Sequence, residues 1–251
     1  MMKWKIPYAY VPGTRHSQDE VECQDYALAK LSDGFACVVV ADGAGSVANA
    51  GQGAKLACEI TRDFLFDINI NLFSMNPEEI KEELITEIRI QLHAAAREMK
   101  CEFESFASTL LFFATDGVNF LAGNVGDGLV GVIDEHNHAS TLLVPENGNF
   151  LNESFFVTDD DCKSHLRFLY GKFSQSNIYF LMTDGSCDCL YNRREKTFAS
   201  ALDVFADWMR RYDDHRLISS ALRDTMFRLF RKATSDDCAL AFISGLIAHK
   251  I

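Results

Sequence analysis

The chain has 251 residues and carries 24 Lys plus Arg against 36 Asp plus Glu, which gives a formal net charge of −12 at pH 7. This acidic balance argues against nucleic acid as a partner, because a phosphate backbone is bound by cationic surfaces. Hydrophobic residues make up 48% of the sequence and include 20 Phe, so the composition is that of a globular protein with a sizeable core. The length is compatible with one domain, and we expect residues 1–251 to form it.

The N-terminus, the apolar runs and the cysteines bear on the compartment. Pro7 and Pro12 interrupt a short apolar stretch, which therefore does not match a signal-peptide core. The longest apolar runs, such as 35–41, fall far short of the roughly 20 residues that span a bilayer. The eight cysteines are scattered, several of them in apolar runs where a reduced thiol behaves as a small hydrophobe. We therefore expect a cytoplasmic protein with free thiols and no membrane partner.

Hydrophobic periodicity predicts strands first and helices next. A strand near 4–10 leads into a polar loop, and apolar runs over 26–31 and 35–41, joined by Ser-Asp-Gly, predict an antiparallel hairpin. Helical spacing extends from 47 to about 66. A second helix begins after Asn76-Pro77, which is a start signal.

The period then returns to that of strands, and a helical pair follows. Short strands are predicted over 108–114, 118–125, 129–133, 140–144, 177–183 and 238–243. Helical stripes cover 199–208 and 217–229. The polar stretch from 145 to about 163 has no clear period and is predicted to be a long loop. This order of elements predicts an α+β fold in which antiparallel sheets pack face to face with helix pairs outside.

Five Asp-Gly pairs occur in the sequence, at 33/34, 42/43, 116/117, 127/128 and 184/185. Asp-Gly is a common hairpin turn, and we interpret the pairs at 33 and 116 in that way. The other three each end an apolar strand, and the glycine that follows allows a close approach of backbone and ligand. The carboxylates of Asp42, Asp127 and Asp184 are therefore predicted to converge on one rim.

Further acids stand beside apolar strands. Asp188 follows Asp184 by four residues, so both would lie on one face of a helix that starts there. Asp236 and Asp237 precede the last strand, and Asp25 begins the second one. Carboxylates at close range repel one another, and a hard divalent cation compensates them most simply. Oxygen ligands favour Mg²⁺, Mn²⁺ or Ca²⁺ over Zn²⁺ or Cu²⁺; the alternative is a set of unrelated strand-end turns.

Five motifs stand in one order along nearly the whole chain. They are Cys23-Gln-Asp25, Val40-Ala-Asp42-Gly-Ala-Gly-Ser46, Ala107-Ser-Thr109 with Gly123-Asn-Val-Gly-Asp127-Gly, Met182-Thr-Asp184-Gly-Ser-Cys-Asp188, and Ser235-Asp236-Asp237-Cys-Ala-Leu240. In this order they resemble the type 2C metal-dependent serine/threonine protein phosphatases. Together with Gly13-Thr-Arg-His16, they look like a compact bacterial branch of that family.

The resemblance implies a four-layer αββα sandwich with two Mn²⁺ or Mg²⁺ ions at one end of its sheets. Asp42 would bridge both ions, and the Gly43 carbonyl would bind one of them. Asp184 and Asp236 would bind the other. In this family two such ions activate a water that attacks the phosphorus of phosphoserine or phosphothreonine in a protein substrate.

The resemblance also assigns outer positions and partners. Asp127 and Asp188 match positions that the family uses, with Asp184, for a third and weaker metal. Asp25 would orient metal-bound water. The bacterial branch implies a signalling role opposite a serine/threonine kinase.

Three positions depart from the family pattern. Where many members have a phosphate-clamping Arg, this chain has Glu20, and Arg15 is our candidate for binding the substrate phosphate. Where many have a His directly after the Gly of the second motif, this chain has Ala44, and His16 is our candidate general acid. Gln24 replaces a Glu and can bond a metal water without adding charge.

Three functions are compatible with these residues. The first is an active Mg²⁺- or Mn²⁺-dependent protein phosphatase. The second is a catalytically weak pseudophosphatase that acts as a phosphoprotein-binding module, because the family's Arg and His are missing. The third is a phosphomonoesterase for small molecules, since the shortened flap over about 145–163 leaves a more open cleft.

Overall fold

The computed structural model describes residues 3–14, 22–32, 34–145 and 154–246. Within these ranges the chain forms the strands β1 Lys3–Lys5, β2 Tyr8–Val11, β3 Asp25–Ser32, β4 Phe35–Asp42, β5 Leu110–Thr115, β6 Asn119–Val125, β7 Leu129–Ile133, β8 Ala139–Leu143, β9 Arg167–Lys172, β10 Ile178–Met182, β11 Tyr191–Asn192, β12 Thr197–Phe198 and β13 Cys238–Leu246. One sheet has the order β1-β13-β10-β7-β8, with β2 also paired to β13, and the other has the order β3-β4-β5-β6-β9. Strands β11 and β12 form a small separate hairpin. All of these pairings are antiparallel.

The helices lie between the strands in two pairs and several short turns. They are α1 Ala50–Asp67, α2 Pro77–Met99, α3 Cys162–His165, α4 Asp184–Leu190, α5 Ala201–Arg211, α6 His215–Thr225 and α7 Arg231–Ala233, with a 3₁₀ turn at Phe103–Phe106 and a π turn at Met226–Phe230. The predicted start of α2 is confirmed, because Asn76 accepts a hydrogen bond from the Glu78 amide and Pro77 is the first helical residue. Lys100 ends this helix in the left-handed conformation.

The two sheets pack face to face, and a helix pair covers each outer face. On β4 the consecutive residues Val38 and Val39 are both fully buried, Val38 in the core between the sheets and Val39 in the core under α1 and α2. On the other sheet, Phe242 of β13 packs against Phe205 of α5. The sequence of a strand that is covered on both faces is a continuous apolar run, as it is in β4. The four-layer αββα sandwich confirms the predicted α+β fold class.

Several elements differ from the sequence prediction. The first strand is divided at Pro7, which has no amide hydrogen to donate to a ladder, so β1 and β2 replace one strand over 4–10. Strand β9 was not predicted, because it lies at a sheet edge where most of its residues are partly exposed. Of the predicted loop, residues 146–153 lie outside the described residues, and its end forms α3.

No helix in the described ranges is both long enough and apolar enough to cross a membrane.

Candidate active site

Three aspartate carboxylates meet at one end of the sheets. Asp42 is the last residue of β4, Asp127 lies in the turn between β6 and β7, and Asp184 begins α4 just after β10. One oxygen of each carboxylate lies within 4.8 Å of the others. The structure thus places at one rim the three strand-end aspartates that precede glycines.

The antiparallel registers explain why these strand ends converge. Asp42 is paired with Asp25 at one end of the β3–β4 ladder. In the facing sheet, Leu129 of β7 is paired with Met182 of β10, and the two other aspartates lie just beyond this pair. The turn before β7 contains Gly126 at φ +103°, a conformation that L side chains rarely adopt.

Asp25 lies at the same end of the molecule and is buried. Its Oδ2 accepts a 2.6 Å hydrogen bond from the Thr183 hydroxyl, which itself accepts a 2.9 Å bond from the Ala239 amide. No described N–H or hydroxyl group donates to the buried Oδ1, and the carboxyl of Asp42 lies within hydrogen-bond reach of Asp25. A buried acceptor without a donor is uncommon and costly, and such an oxygen is suited to a cation or to a water held by a cation.

The crowding of carboxylates raises their pKa values. Burial, followed by the charges of Asp25 and Asp184, raises the pKa of Asp42 well above its usual range. Burial also raises the pKa of Asp25. The pKa of Asp184 is raised to about 6, first by burial and then by Asp127 and Asp236. Because buried like charges need either protons or an opposite charge, the cluster favours a bound cation.

The clustered donor atoms are all carboxylate oxygens. Hard cations such as Mg²⁺ and Mn²⁺ prefer such ligands, whereas structural zinc sites are built from cysteine and histidine. The donor set and the orphaned oxygen of Asp25 therefore fit hard divalent cations.

Two of the predicted metal ligands are exposed and lie outside the group of three. Asp236 is exposed, and its Oδ1 accepts a 2.9 Å bond from the Asp237 amide. Its charge nevertheless acts on Asp184. Asp188 is exposed on α4 and is not part of the group of three. The roles of Asp236 and Asp188 stay predictions.

The backbone after Asp42 is held on both sides. Gly43 donates its amide to the Gln24 carbonyl at 3.1 Å, and Ala44 donates to the Ala107 carbonyl at 2.9 Å. A Cβ on Gly43 would lie 2.5 Å from the carbonyl carbon of Ala50, so only glycine fits between the strand end and α1. The backbone of Gly43 is thus fixed beside the cluster.

The loop that carries the predicted substrate-binding residues is only partly described. Arg15, His16 and Glu20 lie outside the described residues. At the end of this loop, the side-chain oxygen of Gln24 is buried and has no donor in the described part of the chain.

Asp237 is a residue whose importance the sequence analysis missed. It is buried, and its two oxygens accept hydrogen bonds from the Gly13 amide at 2.7 Å and the Gln24 amide at 2.5 Å. Gly13 and Gln24 flank in sequence the segment 15–21, which includes Arg15 and lies outside the described residues. The adjacent acids at 236 and 237 offered no signal as to which would be buried, because that depends on partners more than 200 residues away.

Comparison with known proteins agrees with this fold. Residues 12–226 match the family model described as Protein phosphatase 2C. This chain belongs to that family and is a metal-dependent serine/threonine protein phosphatase. The serine/threonine-protein phosphatase 3 of Escherichia coli (strain K12) is 32% identical over 172 residues, which are 66% of this chain and 67% of that protein.

Solved structures share the fold at low sequence identity. A bacterial serine phosphatase superposes with a TM-score of 0.66 at 13% identity, covering 98% of this chain and 99% of that one. The protein RsbX in complex with magnesium gives a TM-score of 0.56 at 14% identity, covering 98% of this chain and all of that one.

Proposed function

We propose that this chain hydrolyses phosphoserine and phosphothreonine in proteins with two divalent cations, Mn²⁺ or Mg²⁺. The observation that carries the proposal is the convergence of Asp42, Asp127 and Asp184 beside the orphaned buried oxygen of Asp25. The magnesium bound to a protein of the same fold is compatible with this choice of ion.

The ligands are assigned to this chain's residues by the family pattern. Asp42 would bridge the two ions, with the Gly43 carbonyl on one and Asp184 and Asp236 on the other. Asp127 and Asp188, with Asp184, would hold a third and weaker ion. The rigid backbone at Gly43 supports this set, because it fixes the position of the carbonyl next to Asp42.

When bound, the cations would supply an activated water and would neutralise charge on the phosphate oxygens. The Thr183 hydroxyl donates to one oxygen of Asp25 and leaves the other free to accept. Asp25 would therefore orient a water by accepting its proton in a hydrogen bond. Gln24 would accept a second such bond through its buried side-chain oxygen.

Substrate phosphate and leaving group need further residues. We assign phosphate binding to Arg15, whose planar guanidinium suits phosphate oxygens, and protonation of the leaving oxygen to His16. Both residues stand in the sequence between Gly13 and Gln24, whose amides donate to Asp237.

The cellular setting belongs to the same proposal. We place the enzyme in the cytoplasm, as one domain over residues 1–251, opposite a serine/threonine kinase in a signalling system. Its eight cysteines are free thiols, which supports a reducing compartment.

A second candidate function is a phosphoprotein-binding module with weak catalysis. Glu20 and Ala44, where many family members have Arg and His, favour it. Binding of a phosphopeptide without turnover would distinguish this module from the enzyme.

Hydrolysis of a phosphothreonine peptide and of para-nitrophenyl phosphate tests the proposal, with Mn²⁺, Mg²⁺, Ca²⁺ or a chelator present. We expect turnover of both substrates with Mn²⁺ or Mg²⁺ and none with the chelator. Asp184→Asn should abolish turnover in both assays. A wild type that binds Mn²⁺ in calorimetry yet hydrolyses neither substrate would contradict the proposal and support the binding module.

A further inference from the structure

A groove opens at the edge of the sandwich, where β2 of one sheet comes next to β3 of the other and α6 forms the wall. Its volume is about 610 Å³. Tyr8, Tyr10 and Ala29 line its floor, and the side of α6 that carries Arg216 and Arg223 lines its wall. The groove thus combines two tyrosines on its floor with two arginines on its wall, and small, aliphatic and hydroxyl side chains together with His215 complete the lining.

The charge of this groove is opposite to that of the whole chain. None of its lining residues is acidic, although the chain has a formal net charge of −12. Arg216 and Arg223 are exposed, and neither guanidinium forms an ion pair or a hydrogen bond among the described residues. A second groove, of about 460 Å³ between α1 and α2, is lined instead by Asp63, Asp67 and glutamates.

Two acids at the start of α6 have partners of their own, and Asp224, which follows Arg223, forms no ion pair with it among the described residues. Asp213 forms an ion pair with the buried Lys5 at 3.1 Å. Asp214 caps α6 by accepting the Arg216 amide at 2.9 Å. The two arginines therefore remain available for an external anion.

The floor of the groove is suited to contacts with the side chains of a peptide rather than to pairing of the peptide with β2 as an added strand. The Tyr8 amide on the edge of β2 is bonded to the Ser219 hydroxyl at 3.1 Å. Tyr10 packs against Tyr26 of β3 with ring centroids 5.1 Å apart and the rings tilted by 39°, which holds the Tyr10 ring in place on the floor. A peptide would lie across these rings and direct its acidic side chains to the arginines.

The groove begins next to the carboxylate cluster. Tyr10 is paired with Ala239 of β13, and Ala239 is bonded in turn to Thr183, the residue before Asp184. Two strand spacings amount to about 10 Å, which three extended residues span. The groove continues along β2 for about four further residues.

We propose that this groove binds acidic residues of the phosphoprotein substrate, about three to seven positions from the phosphorylated residue. The inference rests on the proposed function and adds a substrate class to it. Arginine forks bind carboxylates in two-point contacts, and complementary charge also speeds encounter.

The test uses three phosphothreonine peptides that differ only in their flanks: acidic residues on the N-terminal side, acidic residues on the C-terminal side, or glutamine throughout. Wild type is compared with R216E/R223E. The control R97E/R194E makes the same change in net charge with arginines that lie outside the groove. Each peptide is assayed for hydrolysis, and its binding is measured by fluorescence anisotropy.

We expect wild type to have a KM about tenfold lower for one acidic peptide than for the glutamine peptide, a difference typical of close charge pairs at an interface. R216E/R223E should lose this preference, whereas the control variant should keep it. Turnover of para-nitrophenyl phosphate should be unchanged in both variants. The preference should disappear near 1 M salt, where the screening length falls to about 3 Å.

The remaining outcomes separate the groove from the catalytic proposal. Equal KM values for all three peptides would contradict the proposal that the groove binds acidic residues, and so would an equal loss of preference in both double variants. Neither result would contradict the proposed phosphatase activity. Binding of the acidic peptide through the arginines without any hydrolysis would uphold the groove and overturn the phosphatase. A wild-type dimer that only R216E/R223E dissociates would assign the groove to a second copy of this chain and overturn the peptide proposal.

Discussion

Asp42 and Asp116 lie at opposite ends of the same sheet, and each is followed by glycine. Asp116 follows β5, and its Oδ1 accepts the amides of Val118 and Asn119 at 2.8 and 2.6 Å. Its carboxylate is therefore satisfied within its own turn. Asp42 instead faces Asp25 and Asp184, and burial followed by the charges of these two residues raises its pKa.

The comparison between these two ends of the sheet shows that an Asp-Gly dipeptide alone does not decide the role of its aspartate. At the distal end the chain reverses between two neighbouring strands, and the turn supplies its own donors. At the cluster end, strands from both sheets bring their carboxylates together; Asp184 accepts from the Gly185 amide and Asp25 from the Thr183 hydroxyl, while the second oxygen of Asp25 has no donor among the described residues. The carboxylates that lack donors are the ones suited to a cation. Asp33, before the distal Gly34, lies outside the described residues.

The largest expected effect is the difference in kcat between a substitution of Asp42 and the same substitution of Asp116. Asp42→Asn should lower metal-dependent kcat by about 1,000-fold or more, since that factor corresponds to ~4 kcal/mol of lost transition-state stabilisation. Asp116→Asn should leave kcat within about twofold and cost ~1 kcal/mol of stability through weaker bonds to its turn amides. Steady-state hydrolysis and urea unfolding of both variants check this. A comparable loss of kcat in Asp116→Asn would break the comparison between the two ends.

Metal addition should stabilise the protein through the cluster end only. Mn²⁺ at 100 times its Kd would add ~2.7 kcal/mol, which for a domain of this size raises the Tm by about 5–10 °C. Asp42→Asn should lose most of this shift, while Asp116→Asn should keep it. Differential scanning calorimetry with Mn²⁺ and with a chelator measures the effect. If Mn²⁺ raises the Tm of Asp42→Asn as much as that of wild type, the cluster is not the metal site that stabilises the protein.

The smallest expected effect is on the free energy of unfolding, when each of two buried aspartates at the cluster end is replaced in turn. Asp25 has one oxygen without a donor and a pKa raised by burial, so Asp25→Asn should raise the metal-free free energy of unfolding by ~1 kcal/mol because it removes the cost of burying an ionisable carboxyl. Asp237 has a donor for each oxygen, so Asp237→Asn should lower that free energy by about 1–3 kcal/mol. Urea titrations in chelator measure both changes. If the two substitutions change the free energy of unfolding in the same direction, the number of hydrogen-bond donors does not distinguish these two aspartates.

Local patterns in the sequence were sufficient for most of the fold. The strand over 129–133 matches β7 in full, and the start of α2 follows from Asn76 and Pro77. Strand alternation, helical period and capping act over a few residues, so they can be read without the partners. Edge strand β9 and the break at Pro7 were missed because edge position and ladder pairing depend on distant strands.

The candidate site divides in the same way. The sequence alone determined which acids follow apolar strands and precede glycines, and these include Asp42, Asp127 and Asp184. Only the tertiary structure decided that Asp237 is buried between the amides of Gly13 and Gln24 while its neighbour is exposed. It also decided that arginines of α6 face tyrosines of β2 across more than 200 residues of chain. Burial and donor supply are set by contacts between distant segments, and no local period encodes them.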